Sequence, residues 1–143
     1  MTIRKKGSAA WQGSIKAGSG TVSTESGALN EQPYGFNTRF EDKAGTNPEE
    51  LIAAAHASCY SMALSLGLGD ANYTARTIRT EATVNLDKDG DGFAVTAVHL
   101  KVTADVPEIS ESEFLDIAET TKGACPISKL LNAEITLEAT LLH

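Results

Sequence analysis

Residues 45–64 read GTNPEELIAAAHASCYSMAL, and the residue types at the front of this stretch announce a helix. Asn47 is a favoured N-cap, and Pro48 suits the first helical position because its missing N–H costs nothing there. Glu50 falls at N3, which makes Asn-x-x-Glu a variant of the capping box. Beyond the cap, Leu51 to Leu66 is apolar or small at almost every position, and Gly67 and Gly69 predict the stop. His56, Ser58, Ser61 and Ser65 interrupt the apolar run, so it reads as an amphipathic or buried helix rather than a membrane span.

Working outward, shorter elements flank this helix. Lys5–Gly13 and Gly20–Ser26 each fit a strand, with Gly18 and Gly20 in the turn between them. Tyr34–Phe40 fits a further strand or extended loop. On the C-terminal side, Thr77–Asp87 and Phe93–Val106 alternate as strands, and Lys88-Asp89-Gly90-Asp91-Gly92 between them is a hairpin signal. Ser110 is placed to cap a second helix with Glu113 at N3, Pro126 opens a short helix to Leu131, and Glu134–Leu141 alternates as a last strand. Strands, a long helix, a hairpin, helices and a strand in that order predict an α+β fold with a mostly antiparallel sheet packed on the long helix.

The 143 residues are one domain's worth, and a chain of this length buries enough surface to fold without a metal or disulfide. Composition is that of an ordinary soluble protein, 41% hydrophobic and 22% charged. A net charge of −7 argues against a nucleic-acid partner and against an anionic membrane surface, since both need a basic face. The first thirty residues hold no apolar signal core, so a cytoplasmic location is expected. Two cysteines in such a location are redox-active or incidental rather than a structural bridge.

Few side chains can carry chemistry. Cys59 shares a helix face with Ala55, Met62, Ala63 and Leu66, and spacing alone favours a small buried hydrophobe. Cys125 precedes Pro126, at the mouth of a helix whose free N–H groups favour a thiolate, and local electrostatics alone select it as the reactive thiol. Glu49, at N2, is free of the capping box, although dipole complementarity is a sufficient reason for it. Arg39 lies between Phe36 and Phe40, where a cation calls for a carboxylate partner, yet a solvated strand residue is the plainer reading. His56, one turn before Cys59, reads as a structural helix residue, and histidines 56, 99 and 143 have no metal-ligand spacing with either cysteine. No metal and no cofactor are expected, and no phosphate-binding or dinucleotide fingerprint is present.

Three segments, QPYGFNTRFE (32–41), GTNPEELIAAAHASCYSMAL (45–64) and KGACPISKLL (122–131), together resemble the OsmC/Ohr family of organic hydroperoxide peroxidases, and the QPYGFNTRF segment points to its OsmC branch. The resemblance extends over nearly the whole chain in element order. It implies a single OsmC-like domain over 1–143 and an intertwined homodimer with its sites at the subunit interface. Cys59 matches the family's peroxidatic cysteine, Cys125 the resolving cysteine, Glu49 the first Glu of its Asn-Pro-Glu motif, and Arg39 the arginine that pairs with that Glu and faces the thiolate. Tyr60 is a small departure from the resemblance, in which Phe is common after the cysteine, and it touches the pocket lining at most. The electron donor implied is a lipoyl-type dithiol, such as a lipoylated protein.

Read as a peroxidase, the chain would form a Cys59 sulfenate and then a Cys59–Cys125 disulfide, with Arg39 supplying the positive field and Glu49 holding it through a bidentate pair. Phe36, Phe40, Met62 and Ile127 are the expected apolar walls, suited to alkyl or lipid hydroperoxides. Glu49 and Cys59 stand ten residues apart, ~15 Å along a helix axis and about 80° around it, so one helix cannot bring both to one peroxide. Two such helices crossing antiparallel at a dyad, through the small strip Ala54, Ser58, Ser61 and Ser65, would let each site draw on both copies. The rival readings are a non-enzymatic thiol redox sensor or stress-response binding protein, and a structural stress protein whose cysteines are incidental.

Overall fold

The computed structural model describes residues 1–142, so His143 lies outside it. The chain divides into two compact units, residues 1–51 and the remainder from Ile52.

The first unit is built on a three-stranded sheet, β1 (Gly7–Gln12), β2 (Ser19–Thr24) and β3 (Gln32–Tyr34), antiparallel throughout. Gly20 does not sit in the β1–β2 turn, as its type suggests. It is a buried strand residue opposite both Trp11 and Tyr34. A Cβ there would stand 2.5 Å from the Tyr34 ring and 2.7 Å from the Trp11 ring, so the position is glycine because two aromatic rings close over it. The segment expected to be extended through Phe40 instead turns after Tyr34 into a one-turn helix, α1 (Phe36–Phe40). Thr38 secures that turn: its hydroxyl accepts from the Gly35 N–H at 2.7 Å and donates to the Gly35 carbonyl at 3.0 Å.

Helix α2 (Pro48–Asp70) starts at the cap read from sequence, with Asn47 Oδ1 accepting from the Glu50 N–H at 2.7 Å. The Glu50 carboxylate does not close the box back onto Asn47; it accepts from the Thr46 hydroxyl at 2.8 Å. The helix also runs past Gly67 and Gly69. Gly67 lies against Ile117 and Thr121 side chains, where helix packing rather than helix ending accounts for its small size.

In the second unit, β4 (Thr77–Asp89) and β5 (Gly92–Asp105) form the expected hairpin, with Gly90 in the left-handed conformation (φ +62°). Helices α3 (Glu111–Ala124) and α4 (Pro126–Leu130) follow, and then β6 (Glu134–Leu141). Strand β6 pairs with β5 in parallel, because the two helices form the crossover that a parallel connection requires. The α+β expectation therefore holds as two three-stranded sheets whose pairings are antiparallel in all but this one place.

The core belongs to this second unit. His56, Tyr60, Leu64 and Leu68 recur every fourth residue along α2 and are fully buried. Tyr60, Leu64 and Leu68 form one cluster with Val98, Leu100, Val102 and Ala104, the inward alternation of β5, and with Phe114 and Ala118 of α3. Ser110 caps α3 by accepting from the Glu113 N–H at 3.1 Å, while the Glu113 carboxylate accepts from the Tyr73 hydroxyl at 2.6 Å. The opposite side of α2 is open: Ala54, Ala55, Ser58, Met62, Ser65 and Leu66 are exposed. By length and composition α2 could cross a membrane, with a mean hydropathy of 1.4, but its four-residue stripe packs into the core.

Candidate active site

Two clusters contain the residues singled out in the sequence. The first lies in the first unit. Arg39, at the end of α1, donates from Nε at 2.9 Å and from Nη2 at 2.5 Å to the same carboxylate oxygen, Oε1 of Glu49. The pair was expected to be a two-by-two fork. Instead both N–H groups converge on one oxygen, and Oε2 is left buried with no partner among the described residues. The Arg39 guanidinium also lies over the Phe40 ring, 5.5 Å from its centroid, and Phe36 packs on Phe40 at 5.0 Å. The one-turn helix sets this arrangement, since it places Phe36 and Phe40 four residues apart on one side with Arg39 beside them.

The second cluster lies in the second unit. Cys59, on α2, is partly buried, and Cys125, between α3 and α4, is fully buried; both are free thiols. The Cys125 thiol and the Ile127 backbone amide both lie close enough to the Cys59 sulfur to perturb it. Burial raises the Cys59 pKa above the ordinary thiol value; the Ile127 amide lowers it, and the Cys125 thiol raises it further. Cys125 is at once the C-cap of α3, its N–H bonded to the Thr121 carbonyl, and the N-cap of α4. Its thiol makes no capping hydrogen bond, so it is left to face Cys59.

Of the expected walls, Ile127 is beside Cys59, Met62 is 76% exposed on α2, and Phe36 and Phe40 belong to the first cluster. A groove of about 510 Å³ opens in the second unit between α2 and α3, lined in part by Ala63, Leu66, Gly67, Ile117, Ala124 and Pro126. Among the described residues no group of His, Cys, Asp and Glu is placed to hold a metal.

Two features escaped the sequence reading. Tyr60, next to Cys59, donates its hydroxyl to the Ala118 carbonyl at 2.9 Å and so pins α2 to α3. His56 is fully buried and its Nε2 lies 2.7 Å from the Ser128 hydroxyl of α4. The available signal was spacing: His56 precedes Cys59 by three residues, and Ser128 follows Cys125 by three.

The chain matches known proteins both in sequence and in fold. The chain belongs to the OsmC family: residues 40–140 match the model described as OsmC-like protein. It is similar to Peroxiredoxin OsmC of Escherichia coli (strain K12), 61% identical over 138 residues that cover 96% of each chain. It is also 35% identical over 103 residues to the organic hydroperoxide resistance protein OhrA of Bacillus subtilis, which covers 65% of this chain and 66% of that one. In fold it matches the crystal structure of an OsmC-like protein from Mycoplasma pneumoniae, with a TM-score of 0.77, 17% identity and full coverage of both chains.

Proposed function

We propose that this protein is a thiol-dependent peroxidase that reduces organic hydroperoxides to alcohols, with Cys59 as the attacking thiol and Cys125 as the resolving one. The observation that carries this reading is the contact between two free cysteines that are 66 residues apart in sequence, one of them aimed at by a backbone N–H. The names Peroxiredoxin OsmC and organic hydroperoxide resistance protein, borne by relatives at 61% and 35% identity, support the reaction class.

In the first step the Cys59 thiolate attacks the hydroxyl oxygen of the hydroperoxide. The S–O bond forms, the O–O bond breaks, and the alkoxide takes a proton and leaves as alcohol. In the second, Cys125 sulfur attacks the sulfenic sulfur; the S–S bond forms, and the hydroxyl leaves as water. A dithiol such as a lipoylated protein then returns the pair to thiols by exchange. No cofactor enters the cycle.

Burial raises the Cys59 pKa, so the thiolate needs a positive group, and Arg39 is the candidate. Glu49 orients it, and the unpartnered Oε2 is suited to accept from the peroxide O–H. Glu49 and Cys59 lie ten residues apart on one unbroken helix, ~15 Å by its rise, so we place them in a common site through a second copy of the chain. The open face of α2, with Ala54, Ser58 and Ser65 small enough for close helix approach, supports such an intertwined homodimer. The expected setting is the cytoplasm.

The test is to mix the reduced protein with one equivalent of cumene hydroperoxide and measure intact mass and free thiols, wild type beside Cys125→Ser. Wild type should lose two hydrogens and both thiols, and the variant should gain one oxygen on Cys59. Wild type that keeps both thiols would overturn the reading. Mixed dimers of Cys59→Ser and Glu49→Ala copies, with exchange demonstrated, should regain activity if the site is shared.

A further inference from the structure

The contacts between α2 and α4 form two rungs. Cys59 meets Cys125, and one helical turn away His56 meets Ser128, with Nε2 and Oγ 2.7 Å apart. The pairing runs antiparallel: moving from 56 to 59 on one helix moves from 128 to 125 on the other. Both residues of the second rung are withdrawn from water, His56 completely and Ser128 in large part. His56 Nδ1 is buried and has no partner among the described residues. A neutral imidazole carries one N–H, so the tautomer that leaves no donor bare puts the proton on Nε2 and donates it to Ser128.

Helix α4 is only five residues long, too short to hold its shape or position unaided. Cys125 is its N-cap and Ser128 its third residue, so whatever fixes Ser128 fixes the direction of the Cys125 thiol. Ile127 and Leu131 pack against the core, but apolar packing alone tolerates rotation of so short a segment. The His56–Ser128 bond is the only side-chain hydrogen bond from α4 among the described residues. The Ile127 N–H, which acts on Cys59, comes from the residue next to Ser128.

We propose that His56 and Ser128 are positioning residues for the resolving step: their bond holds α4 in register with α2, so that Cys125 captures the Cys59 sulfenate before a second peroxide can. This rests on the assignment of Cys59 and Cys125 as the attacking and resolving thiols. A disulfide accepts a narrow range of separations and directions, so a thiol held in register resolves quickly, and one carried on a loose turn does not. The two fates of the sulfenic acid are chemically distinct. Attack by Cys125 sulfur forms the S–S bond and releases water, whereas a second hydroperoxide transfers one oxygen to the sulfenate, giving a sulfinic acid and a second alcohol.

The experiment follows both steps in wild type, Ser128→Ala, Ser128→Thr and His56→Gln, exposed to a range of cumene hydroperoxide concentrations. Rapid trapping gives the rate of sulfenate formation, and intact mass gives the division between disulfide (loss of two hydrogens) and sulfinate (gain of two oxygens). The expected result is sulfenate formation near the wild-type rate in all four. In Ser128→Ala, disulfide formation should be slower by about tenfold, the factor that one ordinary buried hydrogen bond controls. Sulfinate should then appear in that variant at correspondingly lower peroxide. Ser128→Thr keeps the hydroxyl, and His56→Gln keeps an N–H at similar reach, so both should recover much of the disulfide yield. Thermal unfolding of the reduced proteins separates this from simple loss of fold: folded Ser128→Ala that divides its sulfenate as wild type does would overturn the proposal. Absence of any sulfenate in wild type or the variants would instead overturn the assignment of Cys59.

Discussion

Arg39 spends two N–H groups on one oxygen of Glu49 and leaves the other oxygen buried and unpaired among the described residues. A structural ion pair on its own would gain from the two-by-two fork that guanidinium and carboxylate geometry allow. An arrangement that withholds Oε2 leaves an acceptor open, which suits the peroxide O–H of the proposed reaction. The first prediction follows. Glu49→Gln keeps the size and one oxygen but removes the charge that holds Arg39, and kcat/KM for cumene hydroperoxide should fall by about a hundredfold, as when one aligned electrostatic contact to a reacting group is lost. Thermal stability should change little, because Arg39 is 38% exposed and such pairs contribute ~1 kcal/mol at most. Steady-state kinetics beside a melting curve check both halves; a large loss of stability with activity intact would make the pair structural.

Gly20 offers a sharper test of the first unit. Its absent side chain is what lets the Trp11 and Tyr34 rings close over the middle of the sheet, at 5.8 Å between their centroids. Gly20→Ala forces both rings outward and should cost about 1–3 kcal/mol, the usual range for overpacking a filled site. Urea unfolding followed by Trp11 fluorescence reads this directly, since Trp11 is the chain's sole tryptophan.

Legibility of the sequence tracked how local each determinant was. The α2 start was readable because Asn47, Pro48 and Glu50 act within one turn, and the β4–β5 hairpin because Gly90 supplies the backbone its turn demands. Readings failed where a residue answers to something distant. Gly67 looks like a helix end until Ile117 and Thr121 are seen against it, and Gly20 looks like a turn until two aromatic rings are placed above it. The one-turn helix at Phe36–Phe40 was hidden because Thr38 stabilises it through two bonds to Gly35 that no periodicity reveals. The place of Cys125 at the mouth of α4 was legible from its Pro126 neighbour. Its approach to Cys59, and the contact of His56 with Ser128, depend on α4 folding back on α2 across more than sixty residues.

Tyr60 tests what a buried hydroxyl next to Cys59 contributes. The hydroxyl, fully buried, donates to the Ala118 carbonyl, and burial pushes its pKa far up, so it stays a neutral donor at any working pH. Tyr60→Phe removes the bond without opening a large cavity. Stability should drop by ~1 kcal/mol, or about 3 °C in Tm, with peroxidase turnover unchanged. Differential scanning calorimetry with an activity assay would check it; a turnover loss would mean that the α2–α3 anchor also sets Cys59.

His56 should make stability depend on pH in one direction. Burial holds its pKa below the ordinary 6.5 in the folded chain, while the unfolded chain protonates at that ordinary value. Between the two values the unfolded state binds more protons, so stability falls as pH drops below about 6.5, and this contribution is flat above it. His56→Gln cannot titrate and should lose that slope. Urea midpoints measured at several pH values on both sides of about 6.5 compare the two proteins, and parallel curves would assign the slope elsewhere.

Cys59 supplies the test that joins both clusters. Burial raises its pKa, the Ile127 amide opposes this, and the Cys125 thiol adds to the rise. If Arg39 faces the thiolate as proposed, the guanidinium pulls the titration back down, and Glu49 partly cancels that pull. Two substitutions should then act in opposite senses. Arg39→Gln moves the midpoint of Cys59 alkylation by iodoacetamide to higher pH, because the thiolate loses its cation. Glu49→Gln moves it to lower pH, because the cation is no longer neutralised, even though turnover falls with the loss of alignment. Measuring alkylation rate against pH in a Cys125→Ser background isolates Cys59. Shifts of opposite sign place Arg39 and Glu49 in the field of the sulfur, while coincident curves for all three proteins would remove both residues from the site.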